Sequence, residues 1–214
     1  MREAQKIKTE TSMKVKVYSE NPNPKEIGRI VEVLRNDGVI IYPTDSVYGY
    51  GCSLTSRKGV ERLKALSGRS GDELTLLCDT IATASKYAKI ENFQFAVMKA
   101  HLPGPFTFIV RAMGSIPEKL CGKRRTVGLR IPDNAIARAI AEELGNPLLT
   151  ASVKLRDNDD EEYLTDPELI HERYGDRVDM VVDGGIGDSS PTTIVDISDD
   201  EAIILRHGAG DFIE

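Results

Sequence analysis

Six small groups of polar residues in this sequence could meet around an anion. Thr44-Asp45-Ser46 follows a short apolar run, Arg69 sits in the loop Ser67-Gly68-Arg69, and Arg130 interrupts the apolar end of a predicted strand. Thr150-Ala151-Ser152 with Lys154 ends another strand, Thr192-Thr193 starts one, and Arg206 ends the last. Guanidinium groups present planar paired donors, and hydroxyls with loop amides satisfy the oxygens that remain, so the combination suits a phosphate. Each group has a plainer reading. Arg69 could be a solvated loop charge, Arg130 the partner of a structural carboxylate, and Lys154 a partner for the acidic run 157–162. What makes the set a candidate is its placement at strand ends and in adjoining loops, where open α/β sheets build small-molecule sites.

Other chemistries are poorly provided for. Histidine occurs three times, as His101, His171 and His207, which disfavours a catalytic triad or a histidine-rich metal site. The three cysteines, Cys52, Cys78 and Cys121, are widely spaced and odd in number, and give neither a disulfide framework nor a zinc pattern. No Walker-type loop and no GxGxxG are present, so any nucleotide must bind another way. With 28 basic and 34 acidic residues the formal charge is −6, which argues against broad nucleic-acid binding. Lys123-Arg124-Arg125 is the one basic cluster, and a solvated turn would explain it equally. The absence of a signal peptide or an apolar stretch near 18 residues leads to the expectation of a cytoplasmic protein with no membrane partner.

The elements that must carry these groups can be read in order. The length of 214 residues suits one domain. Residues 1–12 read as a flexible leader, with Met13 a possible alternative start, and 13–214 as the domain. A strand at 14–18 precedes a helix opened by Asn23 as cap, Pro24 in its first turn and Glu26 closing a capping-box-like pair. Ile27, Ile30, Val31 and Leu34 share its buried face, and Gly38 is placed to end it. The run 39–42 is a buried strand stopped by Pro43, after which Gly49 and Gly51 read as a flexible, closely turning segment.

Further on, Ser56 caps a helix over 59–66, and 74–78 is a strand. Helices are predicted at 80–88 and 92–102, the second stopped by Pro103. Strands follow at 106–112, 126–131 and 148–152, with a helix between the last two ending at Gly145. After the acidic loop 156–162 come a short helix capped by Asp166-Pro167, a strand at 178–183, and a closing β pair at 192–198 and 202–206. Strands and helices alternate first and strands cluster later. The expected architecture is a single α/β domain, with a twisted, mostly mixed sheet flanked by helices.

Taken together, YPTDSVYGYG, PGPFTFIV, VGLRIPDN, LLTAS, PTTIVDI and ILRHGAG resemble, in order and spacing, the YrdC/YciO family of threonylcarbamoyl-adenylate synthase-like proteins. The resemblance runs from about residue 13 to 210 and looks closest to the YciO branch. It implies a YrdC-like domain with a concave ligand pocket, and a nucleotidyltransferase reaction in which ATP, bicarbonate and L-threonine give threonylcarbamoyl-adenylate and pyrophosphate for tRNA modification. It further implies that Thr44, Tyr48 and Thr107 contact the amino acid and that Arg130 supports the pocket wall. By the same resemblance Arg69, Ser152, Thr193 and Arg206 hold the nucleotide, Mg2+ comes with the phosphates, and no metal is bound by side chains alone. Two positions depart from the synthase branch. Its Lys-x-Arg is Ser67-Gly68-Arg69 here, and its Ser-x-Asn is Ser152-Val153-Lys154, which makes Arg69 and Lys154 the candidate catalytic cations. The alternative is a translation-factor-like protein without synthase activity that binds double-stranded RNA, tRNA or the ribosome.

Overall fold

Strand alternation sorts the side chains of one sheet into two unlike faces, and that sorting creates the site. The computed structural model describes residues 13–122, 124–154 and 160–213. The expected leader, Lys123 and most of the acidic loop lie outside the described residues. Ten strands form one mixed sheet in the order β1-β8-β2-β3-β7-β4-β6-β5-β9-β10. They are β1 (Met13–Lys16), β2 (Ile40–Tyr42), β3 (Gly49–Ser53), β4 (Thr75–Leu77), β5 (Phe106–Arg111), β6 (Thr126–Arg130), β7 (Leu148–Ser152), β8 (Met180–Asp183), β9 (Thr193–Asp196) and β10 (Ile203–Arg206). The pairs β1–β8, β2–β8, β4–β6 and β5–β9 are parallel and the others antiparallel, as a mixed sheet requires.

Helices α1 (Pro24–Arg35) and α5 (Ala135–Leu144) lie on one face, where Ile30, Leu34, Ile136 and Ile140 pack on Val15, Ile40, Tyr42, Leu77, Leu148 and Val182. The opposite face carries α2 (Arg57–Ser67), α3 (Ile81–Ala84), α4 (Asn92–His101) and α7 (Pro167–Tyr174). They cover Ile41, Tyr50, Leu76, Phe108, Leu129, Leu149 and Val195. A short α6 (Glu162–Thr165) precedes α7 and falls at the end of the stretch read as acidic loop.

The caps follow their chemistry. Asn23 Oδ1 accepts from Lys25 N–H at 2.9 Å, although Glu26 turns to Arg29 rather than closing a capping box. Asp37 takes the left-handed position after α1, and Gly38 N–H returns to the Val33 carbonyl. Ser56 Oγ accepts from Gly59 N–H at 2.8 Å and opens α2. Gly68, with φ of 63°, closes α2 in the conformation glycine adopts most easily.

Two expectations change. The helix expected at 80–88 is a single turn, Ile81–Ala84, capped by Thr80. Gly49-Tyr50-Gly51 is not a loop but the start of β3, and all five of its residues are buried. The reason is side-chain room. A Cβ at Gly51 would lie 2.7 Å from the Tyr42 ring, so glycine lets that ring fold over the neighbouring strand.

Candidate functional site

On the face carrying α1 and α5, the side chains change character from one half of the sheet to the other. Beneath the helices they are Val, Ile, Leu, Met and Tyr. From β3 onward, positions of the same parity include Gly49, Thr75, Thr107, Gly128, Thr150 and Ser152, which line an open space instead of joining the core under α1 and α5. Small residues on an uncovered, twisted half-sheet leave a hollow of about 310 Å3. Gly128 is part of its floor, where an added Cβ would come 3.0 Å from Thr75 Oγ1 and 3.4 Å from Thr107 Cγ2.

Three arginines from three elements face this hollow: Arg69 after α2, Arg130 at the end of β6 and Arg206 at the end of β10. Arg130 is 6% exposed. It forms a close ion pair with Asp45, and its Nη2 also donates to Ser46 Oγ at 2.7 Å and Thr44 Oγ1 at 3.1 Å. Asp45 in turn accepts from Asp133 N–H at 2.8 Å, so the turn after β2 is fastened to the loop after β6. Arg130 Nε remains buried without a partner. Both readings of Arg130 therefore hold, since it pairs with a carboxylate and lines the cavity.

Arg206 reaches the cavity through an irregularity. Ile204 pairs with Val195, yet Arg206 pairs with Ile194, so the ladder slips by one residue at Leu205. This bulge moves Arg206 onto the cavity face, which strict alternation would have denied it. Its Nε and Nη2 donate to the Thr192 carbonyl at 3.1 and 2.7 Å, which fixes the side chain. Toward the described residues Arg69 donates only to the Glu73 carbonyl, at 3.4 Å, and its Nε is buried without a partner. Among the described residues neither Arg69 nor Arg206 has a carboxylate within ion-pair distance. Partial burial and, after it, the charge of Arg69 lower the pKa of Arg206. Two like charges facing one hollow, neither in an ion pair with a described carboxylate, form a place for an anion.

Hydroxyls complete the lining. Thr107 Oγ1 and Thr192 Oγ1 are 2.9 Å apart, and Thr192 also accepts from Arg206. Tyr42 Oη donates to Thr150 Oγ1 at 2.7 Å, and Thr150 donates on to the Tyr50 carbonyl. Burial pushes the Tyr42 phenol up to about 12, so it stays a donor. Asp72 and Glu73 supply the carboxylates of the wall. Glu73 is held below the ordinary range first by the Ser70 hydroxyl and then by Ser70 N–H, with Arg69 adding to both.

Of the residues singled out in the sequence, Thr44, Arg69, Thr107, Arg130, Ser152 and Arg206 meet here. Tyr48, Thr193 and Lys154 do not. Tyr48 is fully buried on the other side of its chain, donating to the Gly185 carbonyl at 2.7 Å and accepting from Gly184 N–H. Thr193 is fully buried as well, and its hydroxyl ties Gly208 and Gly210 to β9. Their neighbours Val47, Gly49 and Thr192 face the hollow instead. Lys154 lines a smaller cavity of about 160 Å3, with Ser67, and Ser152 borders both spaces. Thr75, Gly128 and Ile194 were missed as lining residues, although period-two counting from Arg130 and from Thr192 would have found Gly128 and Ile194.

The basic cluster is largely occupied. Arg124 pairs with Asp196 at 2.8 Å and Asp199 at 3.1 Å, and Arg125 with Glu118 at 3.1 Å. Lys123 lies outside the described residues. Among the described residues no group of three acidic, histidine or cysteine side chains is assembled for a metal ion, and no helix is long and apolar enough to cross a membrane.

The same fold occurs in known proteins. A family model described as "Telomere recombination" (Sua5, YciO, YrdC) matches residues 32–208. The chain belongs to the Sua5/YciO/YrdC family. It is 37% identical over 197 residues to the uncharacterized protein YciO of Escherichia coli strain K12, covering 91% of this chain and 95% of that one. The crystal structure of E. coli YciO superposes with a TM-score of 0.87 at 36% identity, over 94% of this chain and all of the other. P. abyssi Sua5, solved in complex with L-threonine, shares the fold at 22% identity and a TM-score of 0.82, over 92% of this chain and 58% of its own. HypF, solved in a phosphate- and nucleotide-bound form, shares it at 14% identity and a TM-score of 0.71, over 86% and 29%.

Proposed function

We propose that the cavity binds ATP with magnesium, together with L-threonine and bicarbonate, and forms threonylcarbamoyl-adenylate and pyrophosphate. The observation that carries this reading is the pair Arg69 and Arg206, two cations that no described carboxylate approaches to ion-pair distance, beside a floor of glycine and threonine. Family membership supports it. So do the threonine held by P. abyssi Sua5 and the phosphate and nucleotide held by HypF, on the same fold.

In this reading the threonine amine and bicarbonate give a carbamate and water. A carbamate oxygen then attacks the α-phosphorus, the bond to the β-phosphate breaks, and pyrophosphate leaves. No covalent enzyme intermediate is needed, so the chain's work is placement and charge compensation. Arg69 and Arg206 hold phosphate oxygens, Ser152 and Thr192 add hydroxyl donors, and Arg130, fixed by Asp45, keeps the Thr44 turn against the amino acid. Magnesium, when bound, neutralises phosphate charge. Among the described residues the wall offers the carboxylates of Asp72 and Glu73 alone, which fits an ion carried mainly by phosphate oxygens and water. The adenylate would then serve tRNA modification.

The test is pyrophosphate release from ATP and bicarbonate, assayed across the amino acids. Threonine-dependent release is the expected result. ATP binding without release for any amino acid would leave a nucleotide-binding protein and remove the synthase.

A further inference from the structure

Helix α4 has a face that the fold does not use. Gln94 donates to the Ile197 carbonyl at 3.0 Å and Met98 packs in the core, and these two are its buried residues. A second stripe, Phe93, Ala96, Val97 and Ala100, recurs at helical spacing along an open groove of about 890 Å3. A helix with one side in water ordinarily turns charge outward there. Lys99 is the one Asp, Glu, Lys or Arg among the ten residues of α4, in a chain that is 29% charged. The groove is apart from the hollow, since Phe106 lines the first and Thr107, on the opposite face of β5, lines the second.

The facing wall is built and fixed. Phe212 stacks on His101 with ring centroids 4.6 Å apart, and Ile213 N–H donates to His101 Nε2 at 3.2 Å. His101 Nδ1 donates in turn to the Val97 carbonyl at 2.8 Å, so one neutral tautomer ties the wall to α4. The Ile213 side chain is left 76% exposed at the rim. The charge of the groove has one sign. Glu201, in the turn before β10, and Asp211 line it, and no described lysine or arginine does. Neither acid forms an ion pair or a hydrogen bond with a described residue. The segments that make the groove, 93–106, 201–202 and 211–213, are described throughout.

We propose that this groove docks a basic amphipathic helix of a partner protein, its apolar stripe laid along α4 and its lysines or arginines set against Glu201 and Asp211. Ala96 and Ala100 are exposed and small, so a second helix can pack close along that line. The backbone of α4 is paired within itself and offers an extended strand nothing to bond to, which favours helix-in-groove docking by anchors at i, i+3, i+4 and i+7. Single exposed apolar residues are ordinary on a surface, but a contiguous groove rimmed by polar groups marks an interaction site. A second copy of this chain fits poorly. A two-fold contact through this face would gather Glu201 and Asp211 of both copies around one apolar space with no described cation between them. The surface does not rest on the function proposed above.

The experiment is fluorescence anisotropy of three labelled peptides of one length against the full chain at physiological salt. The first carries leucines at helical spacing with lysines between them, the second has glutamates for the lysines, and the third is the first in scrambled order. The first is expected to bind at least about tenfold more tightly than either of the others. Ala96→Arg, at an exposed position, narrows the groove and adds like charge, and should weaken the first peptide by about tenfold or more. Glu201→Gln with Asp211→Asn should weaken it by at least about threefold and bring the basic and acidic peptides closer together. Thermal melts confirm that each variant is folded. If the first and scrambled peptides bind alike, or Ala96→Arg binds like the parent, the attraction is that of the acidic surface as a whole and the groove is not the site. No binding of the first peptide also overturns the proposal, and an unaltered affinity in the Glu201, Asp211 variant shows that a basic partner is wrong. Sedimentation of the chain alone is expected to show no dimer that Ala96→Arg dissociates; such a dimer would make a second copy the occupant and overturn the partner helix.

Discussion

Arg130 and Asp45 form an ion pair that is almost wholly buried, with side chains 8% and 10% exposed. Breaking such a pair from one side leaves a buried charge uncompensated, at a cost of about 3–5 kcal/mol. Asp45→Ala should therefore lower the melting temperature by roughly 6–20 °C, at about 2–4 °C per kcal/mol for a chain of this size. The double variant Asp45→Ala, Arg130→Met should recover much of the loss, because no charge is then stranded. If the single variant melts like the parent, this pair does not hold the Thr44 turn in place.

Arg69 and Arg206 predict a different signature. A group kept for a ligand adds little to the empty protein. Arg69→Ala should thus leave the unliganded melting temperature within about 2 °C of the parent, as a substitution outside the core does. Saturating ATP and magnesium, at about a hundredfold over the dissociation constant, adds roughly 2.7 kcal/mol, or about 5–10 °C. Arg69→Ala and Arg206→Ala should each remove most of that rise, since a charge-assisted hydrogen bond is worth about 1.5–3 kcal/mol. Differential scanning fluorimetry with and without ATP reads both quantities. No rise in the parent at millimolar ATP would count against the nucleotide.

The mixed sheet, its helices and most of the cavity lining were legible because Thr44, Thr107, Arg130, Ser152 and Arg206 sit at or near strand ends, where side-chain chemistry stands out from the apolar runs. What failed was parity. Thr192 and Thr193 look alike in the sequence, but the first faces the hollow and the second ties down Gly208 and Gly210. Tyr48 is likewise one residue out of step with Gly49. Arg206 escapes the rule through a one-residue bulge that local composition does not announce. Gly49 and Gly51 misled in another way, since glycine disfavours strands unless a neighbour needs the room. That room is testable: Gly51→Ala places a Cβ 2.7 Å from the Tyr42 ring. It should cost about 1–3 kcal/mol through overpacking, measured by urea unfolding, and Gly51→Ala with Tyr42→Phe should not relieve it, because the clash is with ring carbons.

Stability should fall steeply at alkaline pH. Burial pushes Cys52 and Cys78 from near 9 up to about 12, and Tyr42 from 10 up to about 12. A folded pKa above the unfolded one gives stability that is complete below the unfolded value and lost as pH rises toward the folded one. The window is thus about pH 9 to 12. At 1.36 kcal/mol per pKa unit the three groups together represent on the order of 10 kcal/mol, comparable with the whole stability of a domain. Unfolding is expected before pH 12 in a circular-dichroism titration, and Cys52→Ala should move the midpoint upward. A native signal unchanged at pH 12 would contradict the burial of these groups.

RNA binding should be weak and shallow in salt. Arg124 is engaged by Asp196 and Asp199, and Arg125 by Glu118, so a phosphate must displace a carboxylate to reach either. The pairs with Asp199 and Glu118 are exposed and individually weak, so a phosphate gains only the difference between two exposed contacts there, while Asp196, 15% exposed, keeps Arg124 in place. Even if all of residues 123–125 engaged, about three phosphates would be neutralised, giving a log–log salt slope of roughly −2 to −3. The formal charge of −6 opposes the approach at long range. Filter binding of tRNA and of a double-stranded RNA between 50 and 200 mM salt should show this slope. Asp199→Ala should strengthen the binding by freeing Arg111, while Arg124 keeps its pair with Asp196. A steep slope, with nanomolar affinity at physiological salt, would overturn this and make RNA rather than a nucleotide the ligand to pursue.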